Sequence, residues 1–154
     1  MKNDKSSRHS KITGDFGEAL VLYWLSKRGY ECARVDHVGI DLIAKPPGDQ
    51  RQMGISVKTR SRTDASDTSY VSVPIDNYAK AMAACTAFGC EPYFAIVVDG
   101  AKTVWGFILS MEKLQRLCPP GERVSAWQMT PNHVRGYLED HEIKTFTLDG
   151  GKNW

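Results

Sequence analysis

The stretch that decides the fold is Gly39-Ile40-Asp41-Leu42-Ile43-Ala44-Lys45, a break at Pro46-Pro47-Gly48-Asp49, and then Gln52 to Arg60, which ends Ile55-Ser56-Val57-Lys58-Thr59-Arg60. Both runs alternate with the period of a β-strand. Ile40, Leu42 and Ala44 fall on one face, and Asp41, Ile43 and Lys45 on the other. In the second run Ile55, Val57 and Thr59 share a face, and Ser56, Lys58 and Arg60 share the opposite one. The Pro-Pro-Gly break predicts an antiparallel hairpin, which sets Asp41 across from Ser56 or Lys58. An acid and a lysine then meet on one face of a sheet whose other face is apolar.

Upstream of the hairpin, the spacing predicts a helix over Thr13–Arg28, capped by Thr13 and stopped at Gly29. Phe16, Ala19, Leu20, Tyr23 and Trp24 form its apolar stripe, and Val21, Leu22 and Leu25 widen it. Glu18 stands among these apolar residues and needs a partner, while Gly14 and Gly17 beside it leave room for a backbone or a ligand to approach. Tyr30–Val35 reads as a strand, joined to the hairpin by Asp36-His37-Val38. Downstream come a short strand at Tyr70–Val73 and an alanine-rich helix capped by Asp76 and ended by Gly89. Tyr93–Val98 is an apolar run suited to a strand covered on both faces. Val104–Leu109 pairs with it through an Asp99-Gly100 turn, and Ser110 caps a short helix with Leu109 and Leu114 as its staple. Past Pro119-Pro120 only a helix start at Thr130-Pro131 and a strand at Ile143–Leu148 are legible. The sum is a mixed α/β fold with one main sheet.

A length of 154 residues sets the scale of one domain, taken as residues 13–154 preceded by a basic, flexible arm over residues 1–12 that carries Lys2, Lys5, Arg8 and Lys11. With 42% hydrophobic and 25% charged residues, the chain is neither disordered nor membrane-spanning. No secretory signal is visible, and Cys32, Cys85, Cys90 and Cys118 lack the spacing of a disulfide or zinc framework, so a cytoplasmic protein with buried reduced thiols is expected. The net charge of +2 does not argue for nucleic acid, but a second basic cluster (Arg51, Lys58, Arg60, Arg62) has no acid between its ends and suits phosphate contacts.

The order helix carboxylate (Glu18), hairpin aspartate (Asp41) and lysine on the next strand (Lys58) resembles the PD-(D/E)xK nuclease superfamily, in particular its small Holliday-junction-resolvase-like branch. By motif the resemblance covers roughly the first 60 residues; beyond them only the element order agrees. It implies a restriction-endonuclease-like mixed β-sheet flanked by helices, in the order αβββ(β)αββα. It further implies a magnesium-dependent endonuclease acting on DNA, with manganese as an alternative ion, in which an activated water attacks the phosphodiester. Asp41 would be the central metal ligand, the Val57 carbonyl a second, and Glu18 a direct or water-mediated third. Lys58 would orient the water or stabilise charge on the phosphate. Arg51, Arg60 and Arg62 would meet the DNA backbone. A homodimer is expected, because two strands need two active sites.

One position departs from the family pattern. Ser56 stands where the superfamily carries Glu, Asp or sometimes Gln, two residues before the lysine. A hydroxyl is a poorer magnesium ligand than a carboxylate and removes a negative charge, so Ser56 leaves open a degenerate domain that binds nucleic acid or a protein partner without cutting. Asp36 or His37 would be the nearest replacements. Bland readings also stand: a cross-strand Asp41–Lys58 salt bridge, a Glu18–Lys58 pair, and solvated arginines. Asn77 and Tyr78 open the second helix near the site, with core packing expected of Tyr78. Ser110-Met111-Glu112-Lys113 has the SxxK pattern without its companion motifs, and capping accounts for the serine.

Overall fold

The computed structural model describes residues 4–48, 51–63 and 66–153. Lys2 of the basic arm and Asp49 of the hairpin turn lie outside the described residues. The elements run α1 (His9–Lys27), β1 (Glu31–His37), β2 (Ile40–Lys45), β3 (Gln52–Ser61), β4 (Val71–Pro74), α2 (Asp76–Phe88), β5 (Cys90–Asp99), β6 (Thr103–Ser110), α3 (Met111–Leu117), β7 (Val124–Trp127), α4 (Pro131–Glu139) and β8 (Lys144–Asp149), with a closing 3-10 turn at Gly151–Asn153.

Six strands form one sheet in the order β1-β2-β3-β5-β6-β8. Only β3 and β5 run parallel, because α2 lies in the crossover between them; the other neighbours are antiparallel. Strand β5 reads as an apolar run because both its faces are covered. On one face Ala95 and Val97 pack with Leu42, Ile55 and the α1 residues Leu20, Val21 and Leu25. On the other, Phe94, Ile96 and Val98 pack with α2, α3, α4 and the β4–β7 ribbon through Tyr78, Leu114, Tyr137, Val71 and Trp127. The chain is thus a three-layer α/β/α sandwich with α1 alone on one side.

The hairpin forms as the alternation requires, with Leu42 opposite Ile55, Ile43 opposite Gly54 and Ala44 opposite Met53. The ladder stops there. Continued by one step, the register sets Asp41 opposite Ser56, one of its two expected partners. Ile40 breaks the alternation: it packs with Ala84 and Cys85 of α2, while Leu42 and Ala44 lie under α1. A register irregularity between Arg34 and His37 in the β1–β2 pair accompanies the change. Strands β2 and β3 therefore part at Asp41, and the edge of β3 from Val57 to Ser61 is left without a β2 partner.

Several boundaries differ from expectation, each for a local reason. Helix α1 begins at His9, so Thr13 is not its cap; its hydroxyl instead donates to the His9 carbonyl one turn back at 2.6 Å. Asp76 lies inside α2 rather than capping it, and pairs with Lys80 at 3.0 Å. His37 extends β1, so the turn before β2 is shorter than Asp36-His37-Val38. Strand β7 escaped the sequence because its four residues follow a Pro-rich segment, yet it carries the fully buried Trp127. Other punctuation holds: Gly89 ends α2 at φ 66°, the Ser110 hydroxyl caps α3 at 3.1 Å, and Thr130 caps α4 ahead of Pro131. All four cysteines are free, but only Cys85 and Cys118 are buried; Cys32 and Cys90 are half-buried. Lys113 of the SxxK pattern is held by Asp140 at 2.8 Å and Glu142 at 2.7 Å, a structural tie between α3 and the segment after α4.

Two glycines of α1 play different parts. A Cβ on Gly17 would collide with the Thr59 side chain, so the glycine is what lets α1 lie against β3, whereas a Cβ on Gly14 would meet open space. Gly17→Ala is expected to cost about 1–3 kcal/mol through overpacking. Gly14→Ala is expected to stabilise by up to about 1 kcal/mol through helix propensity. Thermal unfolding of the two variants checks both signs, since ~1 kcal/mol moves the midpoint of a domain this size by roughly 2–4 °C.

Candidate active site

Where β2 and β3 part, the Asp41 side chain takes the place of the missing ladder. Its Oδ2 accepts the Val57 N–H at 2.7 Å. The N–H and C=O of one strand residue point to the same edge, so the Val57 carbonyl opens to the side where Asp41 stands. The same edge exposes the Thr59 carbonyl, which takes Arg60 Nη1 at 2.9 Å, and the Ser61 carbonyl, near Lys5 Nζ at 3.4 Å.

Glu18 approaches Asp41 from α1. The two carboxylates line one cleft with Arg34, Val35, Asp36 and His37. Glu18 is 27% exposed, and its nearest cation is Arg34 of β1 at 3.8 Å, not Lys58. Partial burial, followed by the negative charge of Asp41, pushes its carboxyl above the ordinary glutamate range; Arg34 only partly offsets this. Asp36 and His37 do line this cleft. His37 is engaged elsewhere, with its Nδ1 2.8 Å from the Val38 carbonyl and its ring edge-on to Phe88.

Lys58 projects toward α2 and donates to Asn77 Oδ1 at 3.2 Å; Asn77 is held in turn by the Pro74 carbonyl. Burial lowers the Lys58 pKa, and the Asp41 charge works against that lowering. The Asp41–Lys58 salt bridge does not form: the acid binds a backbone N–H and the lysine an amide. Ser56, 3% exposed, lies one step before Val57 on the Lys58 face. Tyr78 is core, packed edge-on to Phe94.

Lys58 opens into a groove of about 760 Å³ whose walls are Lys5, Ser6, Ser7, His9, Ser10, Thr13 and Gly14 from the start of α1, the β3 edge Val57–Ser61, and Pro74 and Asn77. Among the described residues no carboxylate lines it. Arg60 also donates to the Ser72 carbonyl at 3.4 Å, and Arg62 reaches the Tyr70 carbonyl at 2.7 Å. Both are fastened by backbone oxygens, not loosely solvated, and neither is paired with a carboxylate among the described residues. Arg51 does not join them. It lies seven residues before Lys58, about 23 Å along an extended strand, and pairs with Glu91 at 3.2 Å. The expected four-member cluster is therefore split, because a β-strand spreads residues that the sequence places close together.

His9 is the groove residue that the sequence did not single out. Its Nε2 is buried without a hydrogen-bond partner among the described residues. The i, i+4, i+8 series His9, Thr13, Gly17 would have pointed to it, had the helix been started one turn earlier.

Among the described residues no three His, Cys, Asp or Glu side chains stand together as a metal-binding group. The oxygen donors nearest to such a group are the two carboxylates that share one cleft, Glu18 and Asp41, with the Val57 main chain in contact with Asp41 through its N–H. This is an all-oxygen set of the kind that takes one hard divalent cation with waters completing its shell. Ser56 adds no charge to the set.

No protein-family model matches the chain, and no curated protein matches it. Among solved structures it is similar to Hjc of Archaeoglobus fulgidus, a Holliday junction resolvase from an archaeal hyperthermophile, with a TM-score of 0.55 and 19% identity over 75% of this chain and 83% of that one. The chain therefore has a restriction-endonuclease-like fold, a mixed sheet flanked by helices, as its hairpin and element order led one to expect.

Proposed function

We propose that this protein is a metal-dependent endonuclease acting on DNA. The observation that carries this reading is the Asp41–Val57 contact at the parting of β2 and β3, with Glu18 on one side and Lys58 on the other. Glu18, Asp41 and the Val57 carbonyl would hold magnesium or manganese. Such an ion, when bound, neutralises charge on the phosphate and lowers the pKa of the attacking water.

The chain's own residues supply the rest. The N–H of Val57 fixes Asp41 Oδ2, and the other oxygen would act as the ligand. Asn77 holds Lys58 Nζ at the groove, where the ammonium meets the phosphate or orients the water. Arg60 and Arg62, already turned along the β3 end, meet flanking phosphates, and the basic segment 1–12 grips the strand beyond them. In this reading the nuclease domain takes in all of α1 from His9, four residues before the expected boundary at 13, and two copies act together on two strands. Free thiols suit a reducing, cytoplasmic compartment.

A second reading has its own support. Ser56 is buried beside the site and contributes no carboxylate, which favours a lapsed nuclease that binds DNA through the same groove without cutting. Nicking of supercoiled plasmid and of a four-way junction, with magnesium or manganese, separates the two. An active enzyme loses about 10²–10⁴-fold in rate on Asp41→Ala or Lys58→Ala; Lys58→Ala keeps the parent's melting temperature, whereas Asp41→Ala lowers it because the Val57 N–H loses its acceptor. A lapsed one shows no cutting with either ion, salt-dependent binding that Arg60 and Arg62 support, and gained or stronger cleavage on Ser56→Glu.

The raised Glu18 pKa gives a separate check through stability. A folded-state pKa above the unfolded value means that Glu18 favours the fold below the unfolded pKa and loses that advantage as pH rises through the folded one. Glu18→Gln should therefore melt higher than the parent at pH 7 and not at pH 4. Magnesium should raise the parent's melting temperature at pH 7 and leave Glu18→Gln nearly unmoved. A parent that melts higher than Glu18→Gln at pH 7 without metal would contradict the raised Glu18 carboxyl, whose causes are burial first and the Asp41 charge second.

A further inference from the structure

A second cavity, of about 450 Å³, opens beyond the arginines, between the β5–β6 turn and α4. Its volume falls within the roughly 300–1,000 Å³ usual for small-molecule sites. The walls are apolar: Val98, Trp105, Met129, Val134 and Leu138. Trp105 is half-buried, and its ring lies parallel to Phe107 (interplanar angle 4°, centroids 6.0 Å apart), so the core supports one side of a flat aromatic platform. Leu138, 52% exposed, is left uncovered at the rim. Exposed Lys102 and Arg135 also line the cavity. On its polar side, Asp67 is fixed by the Ala101 N–H at 3.0 Å, next to Thr68 and Thr103.

Sheet register ties this cavity to the DNA-facing residues. Val98 pairs with Arg60 on β3 and with Trp105 on β6. Paired residues share a face, so Arg60, Val98 and Trp105 form a row across the sheet, with Arg60 and Trp105 two strand spacings apart, about 10 Å. The row leads from Arg60 to a cavity that offers an aromatic platform, apolar walls, a fixed carboxylate and two cations.

We infer that this cavity receives one unstacked nucleobase of a DNA strand lying across Arg60, with the base on Trp105 and its phosphate at Lys102 and Arg135. The inference rests on the DNA reading above and deepens it: the substrate class becomes DNA with an unpaired nucleotide near the cleavage point. A paired base keeps both faces in the duplex stack and cannot enter a walled cavity, whereas an unpaired one leaves the stack at small cost. The two cations favour a phosphate-bearing occupant over an apolar peptide.

The test uses the full chain without divalent metal, so that no strand is cut, and a duplex carrying a single unpaired 2-aminopurine beside the fully paired duplex of equal length. The unpaired probe should bind about tenfold tighter, a preference of the size that one stacked base provides, and its fluorescence should be quenched on binding. Trp105→Leu should abolish the quench and the tenfold preference together. The double variant Lys102→Ala/Arg135→Ala, on exposed positions that leave the core intact, should remove the tenfold preference and spare the paired duplex; Arg60→Ala should weaken both. Equal affinity for the two duplexes without quenching overturns this inference and leaves the DNA reading standing. Binding to neither overturns both. Equal losses on both duplexes from the double variant reduce Lys102 and Arg135 to plain phosphate contacts and overturn it as well. Free dAMP binding as tightly as the probe would make this a mononucleotide pocket and overturn the strand assignment.

Discussion

The hydrogen bond from the Val57 N–H to Asp41 Oδ2 stands where a backbone ladder ends, and the site depends on it. A strand edge left unpaired beside a core must satisfy its polar groups somehow, and a carboxylate supplied by the departing strand does so at one point. Had β2 stayed paired with β3 beyond Leu42, the edge of β3 would be closed and the Val57 carbonyl turned into the ladder. Parting the strands costs backbone hydrogen bonds. It gains an opening lined by main-chain oxygen, flanked by α1 on one face and α2 on the other.

The layers on either side keep that opening in shape. Gly17 lets α1 settle on Thr59, which brings Glu18 to the cleft from one face. On the other face α2 places Asn77 against Lys58, and its buried alanines let it lie close on the sheet. Two oppositely charged groups thus approach one strand from opposite sides without pairing with each other. Burial works against both charged forms, raising the pKa of Glu18 and lowering that of Lys58. Groups left in this condition are less favourable in their charged forms than they would be in water.

Much of this was legible in the chain itself. Period-two alternation in Leu42–Lys45 and Ile55–Arg60 announced the hairpin and left Asp41 across from Ser56 or Lys58, because a one-residue slip would move Leu42, Ala44 and Ile55 off the core face. The apolar run at Tyr93–Val98 announced a central strand, and Gly89, Ser110 and Thr130 marked helix ends by local backbone chemistry. Four things were decided by tertiary structure alone: the parting of β2 and β3, the isolation of Arg51 with Glu91, the recruitment of His9 to the groove, and the row that links Arg60 to Trp105. Each joins residues far apart in the chain or separates residues close in it, and such distances depend on how strands are ordered across a sheet. Local periodicity carries no information about that order.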